Sequence, residues 1–127
     1  MDEHVLDASA ILALLRREPG ADRVWPVLPV AVISAVNVAE AASVLTKAGF
    51  AIGDARSALA DLPMRIIDFD ASQAFEVARL RPLTAIKGLS LADRACLALA
   101  SLRGSPVLTA DRAWAALDVG VEVRAIR

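Results

Sequence analysis

The chain has 127 residues, 57% of them hydrophobic, and 14 basic against 15 acidic side chains leave a net charge of −1. That length suits one domain spanning residues 1–127, and the near-neutral charge provides no broad basic field, which counts against a non-specific nucleic-acid coat protein. One histidine, one cysteine and no tyrosine exclude an internal disulfide, a cysteine-based or two-histidine zinc site, and any Ser-His or Cys-His pair that does not use His4.

In chain order, His4-Val5-Leu6 reads as a first buried strand, followed by a helix from about Ser9 to Arg17 whose apolar side is Ile11, Leu12, Leu14 and Leu15. Pro19-Gly20 breaks it, and a short helix through Ala21 to Val27 follows. Val30 to Ile33 reads as the second strand, with Ser34 as a cap for a helix from Val36 to about Ala48, stopped by Gly49. A further helix is predicted over Ile52–Leu62 and ends at Pro63. Met64 to Phe69 reads as a third strand, and Asp70 caps a helix over Ser72–Leu80. A loop through Pro82 and Lys87-Gly88 leads to Ser90, which starts a long helix to Leu102, closed by Gly104. Pro106 to Thr109 is a fourth strand, a short helix follows Asp111, and Val121-Glu122-Val123 reads as a fifth strand. Strands alternating with helices predict an α/β fold around a parallel sheet of four or five strands.

Surplus apolar surface on so short a chain points to a partner interface, most simply a homodimer. The longest apolar stretch, Val24 to Ile33, is cut by Pro26 and Pro29 and falls short of the roughly 20 residues a bilayer span needs. Met1-Asp2-Glu3-His4 is acidic where a secretory leader is basic, and the lone Cys96 suits a reducing compartment, so a cytoplasmic location is expected.

In open parallel sheets, ligands collect beyond the carboxyl ends of the strands. Three acids are expected at that edge. Asp7 directly follows strand one, Asp111 lies just past strand four, and Asp93 is in the first turn of the preceding helix. Glu40 lies one turn inside a helix of small and apolar residues. Each also has a plain structural use. Asp7 or Ser9 suits a helix cap, Ser90 with Asp93 has the spacing of a capping box, Asp111 suits an N-cap, and Glu40 suits a solvated helix face. Taken together, several carboxylates near one point repel each other unless a cation holds them, and hard oxygen ligands suit Mg²⁺ or Mn²⁺, which also bind phosphate oxygens. With no free histidine, acid–base work falls to carboxylates, lysines or a cation-bound water.

Four segments carry a resemblance. Val5-Leu6-Asp7-Ala8-Ser9, Asn37-Val38-Ala39-Glu40, Leu91-Ala92-Asp93-Arg94-Ala95-Cys96-Leu97-Ala98-Leu99-Ala100 and Leu108-Thr109-Ala110-Asp111-Arg112-Ala113-Trp114 stand in order over essentially the whole chain. Together they are similar to the motifs of PIN-domain ribonucleases, in particular the VapC-type toxins of bacterial toxin–antitoxin pairs. The resemblance implies a PIN-like three-layer α/β/α sandwich in which Asp7, Glu40, Asp93 and Asp111 surround one or two Mg²⁺ or Mn²⁺ ions, with Ser9 and Thr109 orienting carboxylates or waters. It implies endonucleolytic hydrolysis of single-stranded or looped RNA to a 5′-phosphate and a 3′-hydroxyl, and a homodimer blocked by the C-terminal segment of a cognate VapB-like antitoxin. Arg94 and Arg112 are candidates for contacts with phosphate or with acidic groups of the antitoxin.

Other readings fit less well. A haloacid-dehalogenase-type phosphatase needs a second Asp where this chain has Ser9, and a response-regulator receiver needs an acidic pair beside its first strand. A non-catalytic PIN-like module that binds protein or RNA is the remaining alternative, and metal dependence separates it from the enzyme.

Overall fold

The computed structural model describes residues 2–127, and the expected α/β/α sandwich is present. Five strands, β1 (His4–Leu6), β2 (Ala31–Ser34), β3 (Arg65–Ile67), β4 (Val107–Thr109) and β5 (Val123–Ala125), form one sheet in the order β3-β2-β1-β4-β5. Every pairing is parallel. Six α-helices cover it: α1 (Ala8–Leu15), α2 (Ala21–Val24), α3 (Ala35–Lys47), α4 (Ile52–Ala60), α5 (Ala71–Thr84) and α6 (Leu91–Arg103).

The period-2 alternation of strand side chains divides the core in two. Leu6, Ala31, Ile33 and Leu108 face the layer of α1 to α4, where they meet Ile11, Val24, Leu45 and Leu59. Their strand neighbours Val5, Val32 and Val107 face α5 and α6, where they meet Val77, Leu80, Leu97 and Trp114. The central strands thus carry apolar residues on both faces. Among the described residues no helix is long and apolar enough to cross a membrane.

Several expectations shift: the third strand is shorter, Arg65–Ile67, and a 3-10 helix over Trp25–Val30 replaces the end of the expected helix and the start of the second strand. Helix α5 continues past Leu80 to Thr84 with Pro82 inside it. Proline removes one backbone donor from the helix. Here the Thr84 hydroxyl donates to the Leu80 carbonyl at 2.9 Å and the Arg81 carbonyl at 3.3 Å, and Leu80 and Thr84 are buried on one face, so packing overrides the break. The fifth strand lies two residues later than expected. Val107 pairs with Val123 and Thr109 with Ala125, while Val119 and Ile126 are buried in the two cores on either side of the strand.

Two polar clasps hold α6 to its neighbours. Glu3 accepts from the Arg103 guanidinium twice, at 2.7 and 2.7 Å, and from the Ser105 hydroxyl at 2.8 Å; these contacts, Arg103 first, hold its carboxyl at about 2. Glu76 on α5 accepts from Arg79 at 2.6 and 2.8 Å and from Ser101 of α6 at 2.6 Å, and Arg79 foremost holds it at about 2. Both carboxyls are depressed, so each stabilises the fold above the ordinary glutamate range and the contribution is lost as pH falls towards 2. Glu76→Gln should therefore cost about 1 kcal/mol at pH 6, given the solvent exposure of Arg79. Its denaturation curve should merge with that of the parent near pH 2, and a gap that persists unchanged at acid pH would contradict this.

Candidate active site

Asp7 follows β1 at the centre of the sheet and is 5% exposed. It occupies the N-cap position of α1, yet its side chain makes no capping bond. Instead Oδ2 accepts from the Ser9 hydroxyl at 2.6 Å and the Thr109 hydroxyl at 3.0 Å. Ser9 Oγ accepts in turn from the Ala110 amide at 2.9 Å, and Thr109 Oγ1 from the Asp111 amide at 3.0 Å. The two hydroxyls sequence reading put near the acids therefore tie Asp7 to the loop after β4. Burial raises the Asp7 carboxyl above its ordinary range; Ser9 and Thr109 oppose the rise, and the Asp93 charge adds to it.

Helix α3 brings Glu40. Ser34 caps this helix by accepting from the Val36 amide at 3.1 Å. Glu40 is half-buried rather than solvated; burial raises its carboxyl, and the charges of Asp7 and Asp93 raise it further. Asp93 sits in the first turn of α6 and completes a capping box: Ser90 N donates to Asp93 Oδ2 at 2.9 Å, and Asp93 N to Ser90 Oγ at 3.1 Å. One carboxylate oxygen of Asp93 thus caps the helix while the charge still reaches Asp7 and Glu40. Buried Cys96, one turn further along α6, feels all three. Its thiol is pushed well up, first by burial and then by Asp7, Asp93 and Glu40.

Asp111 stands apart from this trio. It is exposed, and its Oδ1 accepts from the Ala113 amide at 3.0 Å as the cap of a short 3-10 turn over Arg112–Ala116. Its link to the others is the bond from its amide to Thr109. The two candidate arginines are held by the chain itself. Arg94 Nη1 donates to the Val77 carbonyl at 3.1 Å, joining α6 to α5, and its Nε is buried without a partner. Arg112 Nε donates to the Arg127 carbonyl at 2.6 Å, although the side chain is exposed. His4 is equally engaged, between the Asp2 carbonyl at 2.8 Å and Arg124 at 2.9 Å.

One residue of the α3 motif has a role that reading the motif did not assign. Asn37 is fully buried; its Nδ2 donates to the Ala92 carbonyl at 3.0 Å and approaches Glu40 Oε1 at 3.5 Å, and its Oδ1 has no partner among the described residues. Such an orphaned carbonyl costs about 1–3 kcal/mol. An amide one turn before Glu40, on a helix already capped by Ser34, was the signal available in the sequence.

None of Asp7, Glu40, Asp93 and Asp111 joins an ion pair among the described residues. In kind, the donors fit a hard divalent cation: they are carboxylate oxygens, and burial raises those of Asp7 and Glu40. Among the described residues, no three His, Cys, Asp or Glu side chains are drawn close enough to make a finished metal shell. The arrangement is an open set of carboxylates rather than an assembled cage.

A family model described as "PIN domain" matches residues 4–120. A comparison with curated proteins gave no match. Among solved structures, a toxin–antitoxin complex from Klebsiella pneumoniae is 22% identical, with 98% of each chain covered and a TM-score of 0.78. VapC20 of Mycobacterium tuberculosis, described as a sarcin–ricin loop cleaving toxin, is 18% identical, with 94% of this chain and 98% of that one covered and a TM-score of 0.72. VapBC-5 of the same organism, a member of the VapBC family of toxin–antitoxin systems, is 28% identical, with 100% and 99% covered and a TM-score of 0.61. With its sheet order, its buried aspartate at the end of the central strand and a family match over most of its length, the chain belongs to the PIN domain family.

Proposed function

We propose that this chain is an Mg²⁺- or Mn²⁺-dependent endoribonuclease and the toxin of a type II toxin–antitoxin pair, acting in the cytoplasm and inhibited by a cognate VapB-like antitoxin. The observation that carries the reading is a PIN-family chain in which the charges of Asp7 and Asp93 bear on Glu40 and that of Asp93 on Asp7, none of the three joining an ion pair among the described residues. Uncompensated like charges destabilise a fold, and a bound cation is the simplest compensation.

Asp7, Glu40 and Asp93, with Asp111 at the rim, are the residues that would hold the cation. When bound, it neutralises the phosphate diester and makes a water acidic enough to serve as a nucleophile near neutral pH. The chain's own groups do the rest. Ser9 and Thr109 both donate to Asp7 Oδ2 and fix the orientation of the carboxylate. The Ser90–Asp93 capping box fixes the rotamer of Asp93. Glu40 is half-buried near the charges of Asp7 and Asp93 and would share the cation with them.

Solved relatives include toxin–antitoxin complexes, which supports a protein antitoxin as partner. A homodimer is supported by the apolar side chains that α5 and the turn after it leave exposed, Phe75, Leu83 and Ile86, with Leu91 beside them. The alternative, a non-catalytic PIN-like module, is favoured by the absence of a finished metal shell among the described residues. One experiment separates the two. Millimolar Mn²⁺ should raise the melting temperature by several degrees through preferential binding to the folded state, and the same preparation should cut single-stranded RNA internally. No melting shift together with intact RNA would leave the binding module as the answer.

A further inference from the structure

The active-site carboxylates come from separate elements, so something must set the distance between them. We propose that Asn37 is a positioning residue that holds Glu40 of α3 in register with Asp93 of α6. This rests on the metal-site reading above. Asn37 lies one turn before Glu40 and is fully buried, and its amide nitrogen bridges the Glu40 carboxylate at 3.5 Å and the carbonyl of Ala92, the residue before Asp93, at 3.0 Å. Both neighbours are acceptors, so only the NH₂ end of the side chain can face them, and this fixes the orientation of the amide. The opposite end, Oδ1, is buried with no partner among the described residues.

That geometry is a poor way to fill a core. Asparagine is a weak helix former whose usual use is a cap, and Ser34 already caps α3. A leucine of similar size would fill the space between α3 and α6 without an orphaned carbonyl. The amide costs stability where it stands, and the return is a fixed bridge between the helices that carry two of the three converging carboxylates. Asn37 touches neither the reacting atoms nor the cation in this assignment; it acts through Glu40.

The test uses Asn37→Leu in the full chain, with Mn²⁺ affinity measured by calorimetry and stability by denaturant unfolding. The variant should be as stable as the parent or more so, and should bind Mn²⁺ at least tenfold more weakly, the usual scale for losing a group that orients a ligand. In a Glu40→Gln background, Asn37→Leu should cause no further loss of affinity. A loss of the same factor in both backgrounds would mean that Asn37 does not act through Glu40, and parent-like affinity in the single variant would overturn the proposal outright. If the leucine variant fails to fold, Asn37→Ser carries the same comparison. A parent chain that binds no Mn²⁺ overturns the metal-site reading and this inference with it, whereas a parent that binds and an indifferent variant overturn this inference alone.

Discussion

Replacing Asp7 with asparagine should abolish RNA cleavage and at the same time raise the melting temperature of the metal-free protein. The two effects share one cause. Asp7 is 5% exposed, beside the charge of Asp93, and its carboxyl is raised by that burial. A carboxyl raised in the folded state contributes stability that is complete below the ordinary aspartate range and is lost as pH rises through the raised value. At neutral pH without metal, the charged form is therefore a liability. Asparagine keeps an oxygen to accept from Ser9 and Thr109 and removes the charge. A gain of about 1 kcal/mol, or roughly 4 °C for a domain of this size, is the expected scale. Cleavage should fall by a factor of about 10² or more if Asp7 is the cation ligand proposed above. A calorimetric scan in EDTA and a gel assay in Mn²⁺ make the measurement. A destabilised variant would mean that the charge is already compensated, and an active one would remove Asp7 from the site.

Gly20→Ala should be the most damaging change outside the core. Gly20 adopts φ +95°, which side-chain-bearing residues rarely take, and an added Cβ would lie 2.6 Å from the Ile126 carbonyl oxygen and 2.8 Å from Ile126 Cγ1. Backbone cannot step aside as a flexible side chain does. The expected loss is about 2–4 kcal/mol, the sum of a left-handed conformation and an overpacked contact. Gly49 is the internal control: its φ is +106° but nothing lies within 4 Å of its Cβ position, so Gly49→Ala isolates the conformational part, about 1 kcal/mol. The damage at Gly20 should also reach the site. Ile126 N donates to the Thr109 carbonyl at 2.9 Å, and Thr109 holds Asp7, so Mn²⁺ affinity should fall along with stability. Equal denaturation midpoints for the two glycine variants would show that the segment at Ile126 yields freely.

Much of this architecture can be read from the residues because local and long-range preferences agree. Val5 and Leu6 alternate between two cores, Ser34 and Ser90 cap the helices they precede, and Gly104 closes α6 at φ +63°. Where tertiary packing outvotes a local rule, the reading falls short. Pro82 looks like a stop, but burial of Thr84 carries the helix through it. Val121 looks like a strand start, but pairing of Val107 with Val123 sets a later register. At the site, Asp7, Glu40 and Asp93 are legible as acids in an expected order, and their nearness appears in the raised carboxyls of Asp7 and Glu40 and the raised thiol of Cys96. The hold of the backbone on Arg94 and Arg112 is not legible, because each donates to a carbonyl at least 15 residues away in the chain. Nor is the bridge at Asn37, whose partner across the helix pair is a backbone atom with no mark in the residue string.

The order β3-β2-β1-β4-β5 has a dynamic consequence. Strand β1 is flanked on both sides, whereas β3, with Arg65 and Ile66 exposed, and β5 form the margins. Margins open to solvent in brief local excursions, while a central strand exchanges its amide protons only when the whole molecule comes apart. The buried carboxylate of Asp7 therefore follows a strand paired along both edges, and the margins can fray without moving it.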